Sequence, residues 1–303
     1  MRFSLLLCLL VLAIATGCED DRVATDGSVP TDAPAMDAAV EDAGAADAGP
    51  DAGRAMDAAA PEGLSVVFDY RYDTAGFFSD PSRRAALEAA AAVWSTLLTD
   101  DFEDIPAGTT IRTRDPENPT AAATNFPSDD VIDDVLIFVG CARFDGGLAQ
   151  SNHAAALSSV ADVALANRLR ARSQGADFQP WTGWISFNCD TPWFFDDTLE
   201  TDSDIPGGQN DFHSTAMHEI AHVLGFGTSN AFSDQVSGGA FTGPTAVESF
   251  GGPVPLTSSG VHFQSSVVSG GNVTLMDISR TIGTRTLPTP VDIAVMADLG
   301  YAL

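Results

Sequence analysis

Residues 218–228 read HEIAHVLGFGT, and this stretch constrains the chain more than any other feature. His218 and His222 are four residues apart, so on a helix they project from nearly the same face and can bind one metal ion. Glu219 lies one step round the helix, beside such an ion rather than on it. The flanking residues are apolar, and Gly225 follows where the chain must turn. The pattern therefore predicts a buried helix that carries a zinc site.

A catalytic zinc ion takes three protein ligands and leaves one position open for water. The helical pair supplies two ligands, so the third has to come from elsewhere. His262, in GVHFQ, is one candidate, and the acids Asp234 and Glu248 are two others. His213 lies five residues before His218, about 140° away around the same helix, so it is expected to face elsewhere. His153, in LAQSNHAAAL, is expected to be a loop or core histidine.

The spacing also predicts a chemistry. Zinc lowers the pKa of a bound water molecule toward neutrality. Glu219 is then placed to take a proton from that zinc-bound water and to deliver it to a leaving amine. The sequence thus favours a zinc-dependent hydrolase that cleaves peptide bonds, with Glu219 as its catalytic base.

The pattern HExxHxxG at residues 218–225 resembles that of the metzincin metalloproteases. Their usual third histidine position holds Thr228 here, but the leishmanolysin-like branch separates the glycine from the third histidine by an insertion. His262, followed by the Leu-Met pair in TLMDISR, is similar to that branch's third ligand and methionine turn. The resemblance covers about residues 64–303. It implies that His262 is the third zinc ligand and that Met276 packs as an apolar floor under the imidazoles.

Two further segments carry the same resemblance. PTPVDIAVMADLGY, residues 288–301, resembles the C-terminal helix that ends this type of domain. GWISFN, residues 183–188, resembles the edge strand that lines the substrate cleft and pairs with an extended peptide. The residues between Gly225 and His262 are expected to form part of the rim of that cleft.

Residue patterns place the elements around the motif. LSVVFDY, TTIRTR, VLIFVGCARF and GWISFNCD read as strands, and the third is apolar enough to be central. Asp80-Pro81 opens a helix whose buried face holds Leu87, Ala91, Trp94 and Leu98. Asn210 or Asp211 caps the motif helix, and Thr289 with Asp292 caps the last one. The expected fold class is α/β (α+β): a metzincin-like catalytic domain with a mixed twisted sheet, a motif-bearing helix and a C-terminal helix.

The start of the chain predicts export. Residues 1–17 resemble a signal peptide that ends in Ala-Thr-Gly before Cys18, as in a bacterial lipobox, so Cys18 is the expected lipidation site. Residues 18–62 then form a disordered tether rich in Ala, Asp, Gly and Pro, and residues 63–303 form the zinc metalloprotease domain. The expected product is a lipoprotein anchored at the cell envelope or surface; an ordinary secretory signal, which would give a secreted extracellular protein, stays open.

The net charge, the cysteines and the acidic residues each limit what the chain can bind or form. The formal net charge of −28 disfavours nucleic acid, because phosphate binding needs clustered Lys and Arg. Cys141 and Cys189 each end a predicted strand, and outside the cytosol they are expected to form one disulfide. The acid-rich segment 196–211 offers oxygen ligands for Ca²⁺ but lacks the spacing of a defined loop, so a solvated loop is expected there.

Two alternatives stay open from the sequence. The chain can be a catalytically silent, metal-stabilised binding or adhesion domain on the cell surface. It can also be a zincin of another branch that uses Asp234 or Glu248 as third ligand. The primary expectation is a zinc endopeptidase whose partners are a protein or peptide substrate and, through the lipid anchor, a membrane.

Overall fold

The computed structural model describes residues 63–154, 162–196, 199, 201, 203–279 and 281–303. The predicted signal peptide, Cys18 and the tether lie outside the described residues. Among those that are described, no helix is long and apolar enough to cross a membrane. Helices and strands alternate through the domain, as expected for a mixed α/β or α+β fold.

The helices are α1 (Pro81–Leu97), α2 (Val163–Gln174), α3 (Phe212–Val223), α4 (Asn230–Ser233), α5 (Pro244–Phe250) and α6 (Pro290–Asp298), with a 3-10 turn at Phe77–Ser79. The strands are β1 (Val66–Asp69), β2 (Thr110–Thr113), β3 (Thr124–Pro127), β4 (Val135–Ala142), β5 (Ala149–His153), β6 (Thr182–Asn188), β7 (Trp193–Phe194), β8 (Asn210–Asp211), β9 (Val236–Ser237), β10 (Ala240–Phe241), β11 (Val254–Pro255), β12 (Val268–Ser269) and β13 (Asn272–Val273).

The main sheet has the strand order β1-β4-β6-β5. Strands β1, β4 and β6 run parallel, and β5 pairs antiparallel with β6, so the sheet is mixed as predicted. The prediction that VLIFVGCARF is central is confirmed, since β4 lies between two strands. The expectation that GWISFN is an edge strand is wrong: β6 is buried along its whole length between β4 and β5. The sheet instead ends in β1 on one side and in β5, a short polar segment, on the side of β6.

Helices α1 and α3 form one core with the sheet. Asp80 caps α1 by accepting a hydrogen bond from Ser82 N, and Pro81 occupies the first turn, as predicted. The predicted apolar face of α1, which includes Leu87 and Trp94, is buried. Trp94 Nε1 donates to Met217 O at 2.9 Å and so ties α1 directly to α3. A disulfide joins Cys141 near the end of β4 to Cys189 just after β6.

The region between Gly225 and His262, which was expected to form part of the cleft rim, has secondary structure of its own. It holds α4, the antiparallel sheet β11-β10-β9 and α5. Phe232 and Phe241 stack at 4.7 Å in the centre of this unit. The strands are only two residues long, and a turn of two glycines, Gly238 and Gly239, joins β9 to β10, so no periodicity marks them in the sequence.

The last helix is held to the rest of the domain by Asp292. Thr289 and Asp292 form the predicted capping box at the start of α6. The buried Asp292 carboxylate also accepts hydrogen bonds from Leu275 N at 2.9 Å and Met276 N at 3.0 Å. One carboxylate therefore fixes both the helix start and the turn that contains Met276.

Asp292→Ala is expected to lower the free energy of unfolding by about 3 kcal/mol, because it leaves several buried N–H donors without an acceptor. Urea unfolding of the full-length protein measures the loss. Asp298→Ala is the matched control on the same helix, since Asp298 accepts from Thr245 N and Ala246 N, of which the first is exposed. For Asp298→Ala we expect the free energy of unfolding to fall by about 1 kcal/mol. Equal losses in the two variants would contradict the role given to Asp292.

Candidate metal centre

Three histidine rings converge in the interior beside α3. His222 Nε2 lies 3.1 Å from His218 Nε2 and 3.0 Å from His262 Nε2. All three residues are almost completely buried. The structure therefore brings His262, forty residues beyond the helical pair, into the same group as His218 and His222.

Backbone carbonyls fix the protonation of the two helical histidines. His218 Nδ1 lies 2.8 Å from Leu275 O, and His222 Nδ1 lies 2.7 Å from Phe226 O. A carbonyl oxygen only accepts, so each Nδ1 must carry the hydrogen and donate it. In a neutral imidazole this leaves the lone pair on Nε2. The two Nε2 atoms therefore face each other as acceptors, which is the arrangement that a cation between them stabilises.

The distances fit a tetrahedral metal ion. With zinc–nitrogen bonds of about 2.05 Å, ligand nitrogens of a tetrahedral site are roughly 3.3 Å apart. The observed Nε2 separations of 3.0 and 3.1 Å are close to this value. Carbonyl partners behind the rings are also the usual way in which metal-binding histidines are oriented. The three residues thus form a donor set that can hold one zinc ion.

Glu219 lies next to this group on α3. It follows His218 directly in the chain, and its side chain is fully buried. Ser151 Oγ on β5 donates to Glu219 O at 3.0 Å, which holds the middle of the edge strand against the helix at this residue. Glu219 therefore follows a member of the histidine group in the chain and contacts the edge strand through its backbone carbonyl.

Two glycines shape the chain that leaves α3. Gly225 has φ 103°, a left-handed value that turns the chain after the helix, as the sequence predicted. At Gly227 an added Cβ would lie 2.3 Å from Val261 O. The absence of a side chain at Gly227 therefore lets the segment that carries His262 pack against the end of α3.

Thr228 takes part in a hydrogen-bond network rather than in the histidine group. Its hydroxyl donates to His222 O at 2.6 Å, and so it accepts from His153 Nδ1 at 3.3 Å. His153 ends β5, and its ring packs edge-on against Phe178 with centroids 4.9 Å apart. His153 was expected in a loop or in the core. It is instead the last residue of β5, a strand that the sequence did not reveal.

Met276 lies in the turn behind the histidines. The residue is completely buried, and its carbonyl accepts a hydrogen bond from Phe263 N at 2.9 Å, next to His262 in the chain. The preceding residue, Leu275, supplies the carbonyl that binds His218. The same short turn therefore contacts one histidine directly and the neighbour of another.

The other candidate ligands do not join the group. Asp234 and Glu248 are exposed, and neither belongs to the cluster of metal-binding atoms among the described residues. His213 is buried but also lies outside the cluster. The pKa of His213 is lowered, and burial of the ring is the largest cause of that shift.

Sequence reasoning missed Arg285, which secures the start of α3. Its guanidinium donates to Asp211 and to Asp196, each at 2.8 Å, and all three side chains are buried. Asp211 is also the N-cap of α3 and accepts from Ser214 N, which confirms the predicted cap. The expectation of a solvated loop at 196–211 is wrong at both ends, because Arg285 binds them. No local signal identifies a partner that lies 74 residues away.

A second acidic group lies elsewhere in the domain. Asp101, Asp133 and Asp134 bring carboxylate oxygens within 4.8 Å of one another. Asp134 accepts from Ser65 N and Phe102 N, and burial raises its pKa. These hydrogen bonds give it a structural role at the start of β4.

The sequence matches no protein-family model, and no curated protein matches it either. The geometry of the site therefore carries the functional argument for this chain.

His153 is expected to make stability fall on acidification. Burial lowers the pKa of His153 to about 4 from its ordinary value of 6.5. Between these values the unfolded chain binds a proton that the folded protein does not, so stability decreases as the pH falls from 6.5 to 4. We expect the parent to lose about 2–3 kcal/mol more than His153→Gln between pH 7 and pH 4. Urea unfolding of both proteins with a chelator present measures this, and parallel pH profiles would refute it.

Proposed function

We propose that this chain is a zinc-dependent endopeptidase of the metzincin type, closest to the leishmanolysin-like branch. His218, His222 and His262 hold the zinc ion, and Glu219 is the catalytic residue. One observation carries the proposal: His222 Nε2 lies about 3 Å from the Nε2 atoms of both His218 and His262 in the interior, and the next residue after His218 is a buried glutamate. HExxH helices of zinc peptidases present this combination of groups.

When bound, zinc would lower the pKa of a water molecule toward neutrality and polarise the carbonyl of a peptide bond. Glu219 would hold the proton of the attacking water on its carboxylate and deliver it to the nitrogen of the leaving amine. The carbonyls of Leu275 and Phe226 accept the Nδ1 hydrogens of His218 and His222, so the Nε2 atoms of these two rings are the ones that would bind the metal. The helix α3 keeps the acid–base group and two of the ligands in a fixed relation to each other.

The edge strand β5 supports a peptide as the substrate. Leu148 O accepts from Asn188 N, and Ala154 N donates to Thr182 O, so these backbone groups point toward β6. Alternation along the strand then turns the N–H and C=O groups of Ala149, Ser151 and His153 the other way. Among the described residues, no strand pairs with that side of β5. An extended peptide can add there as a further strand, across Glu219.

The turn at Met276 supports the metzincin assignment. It lies behind the histidines, buried, and its neighbour Leu275 orients His218. The edge strand also fits, although it is β5 rather than the segment that the sequence favoured. Beyond the site itself, the mixed sheet with α1 and α3 packed on it suits such a catalytic domain.

We also propose that the domain works outside the cytosol, attached to a membrane through Cys18. The disulfide between Cys141 and Cys189 suits an oxidising compartment. The acidic tether of residues 18–62 would then hold the catalytic domain away from the bilayer surface.

The full-length protein is expected to bind about one zinc ion per chain, and His262→Ala is expected to lose most of it. Elemental analysis after dialysis against zinc-buffered solution measures the content. Asp234→Ala and Glu248→Ala are the controls and should keep their zinc. Retention of zinc by His262→Ala, together with loss in either control, would overturn the ligand set.

Glu219→Gln is expected to lower kcat for cleavage of an unfolded protein substrate by about 10³-fold, because the amide cannot take up the proton. The variant should keep the zinc content of the parent, which separates lost chemistry from lost metal. A chelator should abolish the activity of the parent, and added zinc should restore it. Equal rates for Glu219→Gln and the parent would exclude Glu219 as the catalytic base.

A further inference from the structure

A cavity of about 330 Å³ lies at the C-terminal end of β5, between the β2–β3 hairpin, α2 and the chain that follows α3. Two arginines of β2 and the loop after it, Arg112 and Arg114, contribute to its lining. Trp184 adds an apolar surface, and Asn152, His153 and Thr228 line the side toward the histidine group.

The charge of this cavity is opposite to that of the chain. The protein has a formal net charge of −28, yet no Asp or Glu is among the described residues that line the cavity. Neither Arg112 nor Arg114 forms an ion pair with a described residue. Arg114 Nη1 donates to Pro119 O and Ala121 O, which holds its guanidinium in place. Because burial keeps the pKa of His153 near 4, the positive charge at neutral pH comes from the arginines.

The cavity is also close to the place where a peptide would be cleaved. Ser151 contacts the backbone of Glu219, and His153 is two residues further along β5. Two or three residues of an extended strand span about 7–10 Å. A peptide that lies along β5 and passes Glu219 therefore reaches the cavity after a few residues. If it pairs antiparallel, the more stable arrangement, these residues precede the cleaved bond.

We propose that this cavity is a specificity subsite that binds an aspartate or glutamate side chain of the substrate, roughly two to four residues before the cleaved bond. Arg112 and Arg114 bind the carboxylate, for which the guanidinium group has a matching geometry. The inference rests on the proposed peptidase function and adds to it a substrate class: proteins with an acidic residue upstream of the cleavage site.

The test uses the zinc-loaded full-length protein and quenched fluorescent peptides that differ only in Glu, Gln or Lys at each of the four positions before the cleaved bond. The parent is expected to show about tenfold higher kcat/KM for Glu than for Gln at one or two positions. Arg112→Gln should reduce that ratio to about twofold, and Arg112→Lys should keep part of it. Arg112 is exposed on its strand, so thermal unfolding of the variants should match that of the parent.

Arg143→Gln is the matched control. Arg143 is an exposed arginine outside the cavity, and its replacement changes the net charge by the same amount. It should leave the preference for Glu unchanged. Equal cleavage of the Glu, Gln and Lys peptides by the parent would overturn the subsite while leaving the peptidase function in place. Loss of the preference in Arg143→Gln as well would also overturn it. Failure of the zinc-loaded parent to cleave any peptide would refute the peptidase function, and the subsite with it.

Discussion

The meeting of three imidazole rings in one buried space is the constraint on which the rest of the structure depends. The Nε2 atoms of His218 and His222, both acceptors, face each other at 3.1 Å away from water, which is unfavourable unless a cation lies between them. Hydrogen bonds on the far side of the rings, at Nδ1, keep the two helical histidines in this position. Leu275 O and Phe226 O hold two of the rings, and each carbonyl is itself fixed, one by the Asp292 carboxylate and the other by the turn at Gly225.

Several fixed contacts therefore position α3. Trp94 binds its middle from α1, and Ser151 binds it from the edge strand. Arg285 holds its N-cap, Asp211, inside a buried ion-pair group. Burying three charges costs desolvation free energy that their mutual attraction only partly offsets, so such a group adds more to the position of the helix than to stability. The contacts come from residues far apart in the chain, which explains why a site of few residues needs most of the domain.

Sequence reasoning succeeded where the signal is local. The caps Asp80, Asp211 and Thr289 each act within three residues of themselves, and all three helix starts were predicted correctly. The central strand β4 was also predicted correctly, because an uninterrupted apolar run is typical of a strand covered on both faces.

The failures share a physical cause. Strand β5 is polar and five residues long, so nothing in AQSNH distinguishes it from a loop; only pairing with β6 makes it a strand. The edge strand expected to pair with a peptide was therefore assigned to GWISFN, although β5 lies at that edge of the sheet. The residues alone also left three candidates for the third ligand, His262, Asp234 and Glu248. The choice depends on which residue the folded segment after α3 brings back to the helical histidine pair. Gly227 lets the segment that carries His262 pack against the end of α3 through close contact with Val261, and no sequence pattern shows that contact.

The acidic character of the whole chain and the arginine-lined cavity act over different distances. At physiological ionic strength charges are screened beyond about 8 Å, so the distant acids contribute little to the potential inside a small cavity. Within it, Arg112 and Arg114 have no acidic neighbour among the described lining residues. If the proposed subsite binds a substrate, the overall charge of the protein would keep strongly acidic partners from accumulating, while the cavity would favour a single carboxylate on an otherwise neutral or basic substrate. A peptidase with this charge distribution would select its substrates at the site rather than by long-range attraction.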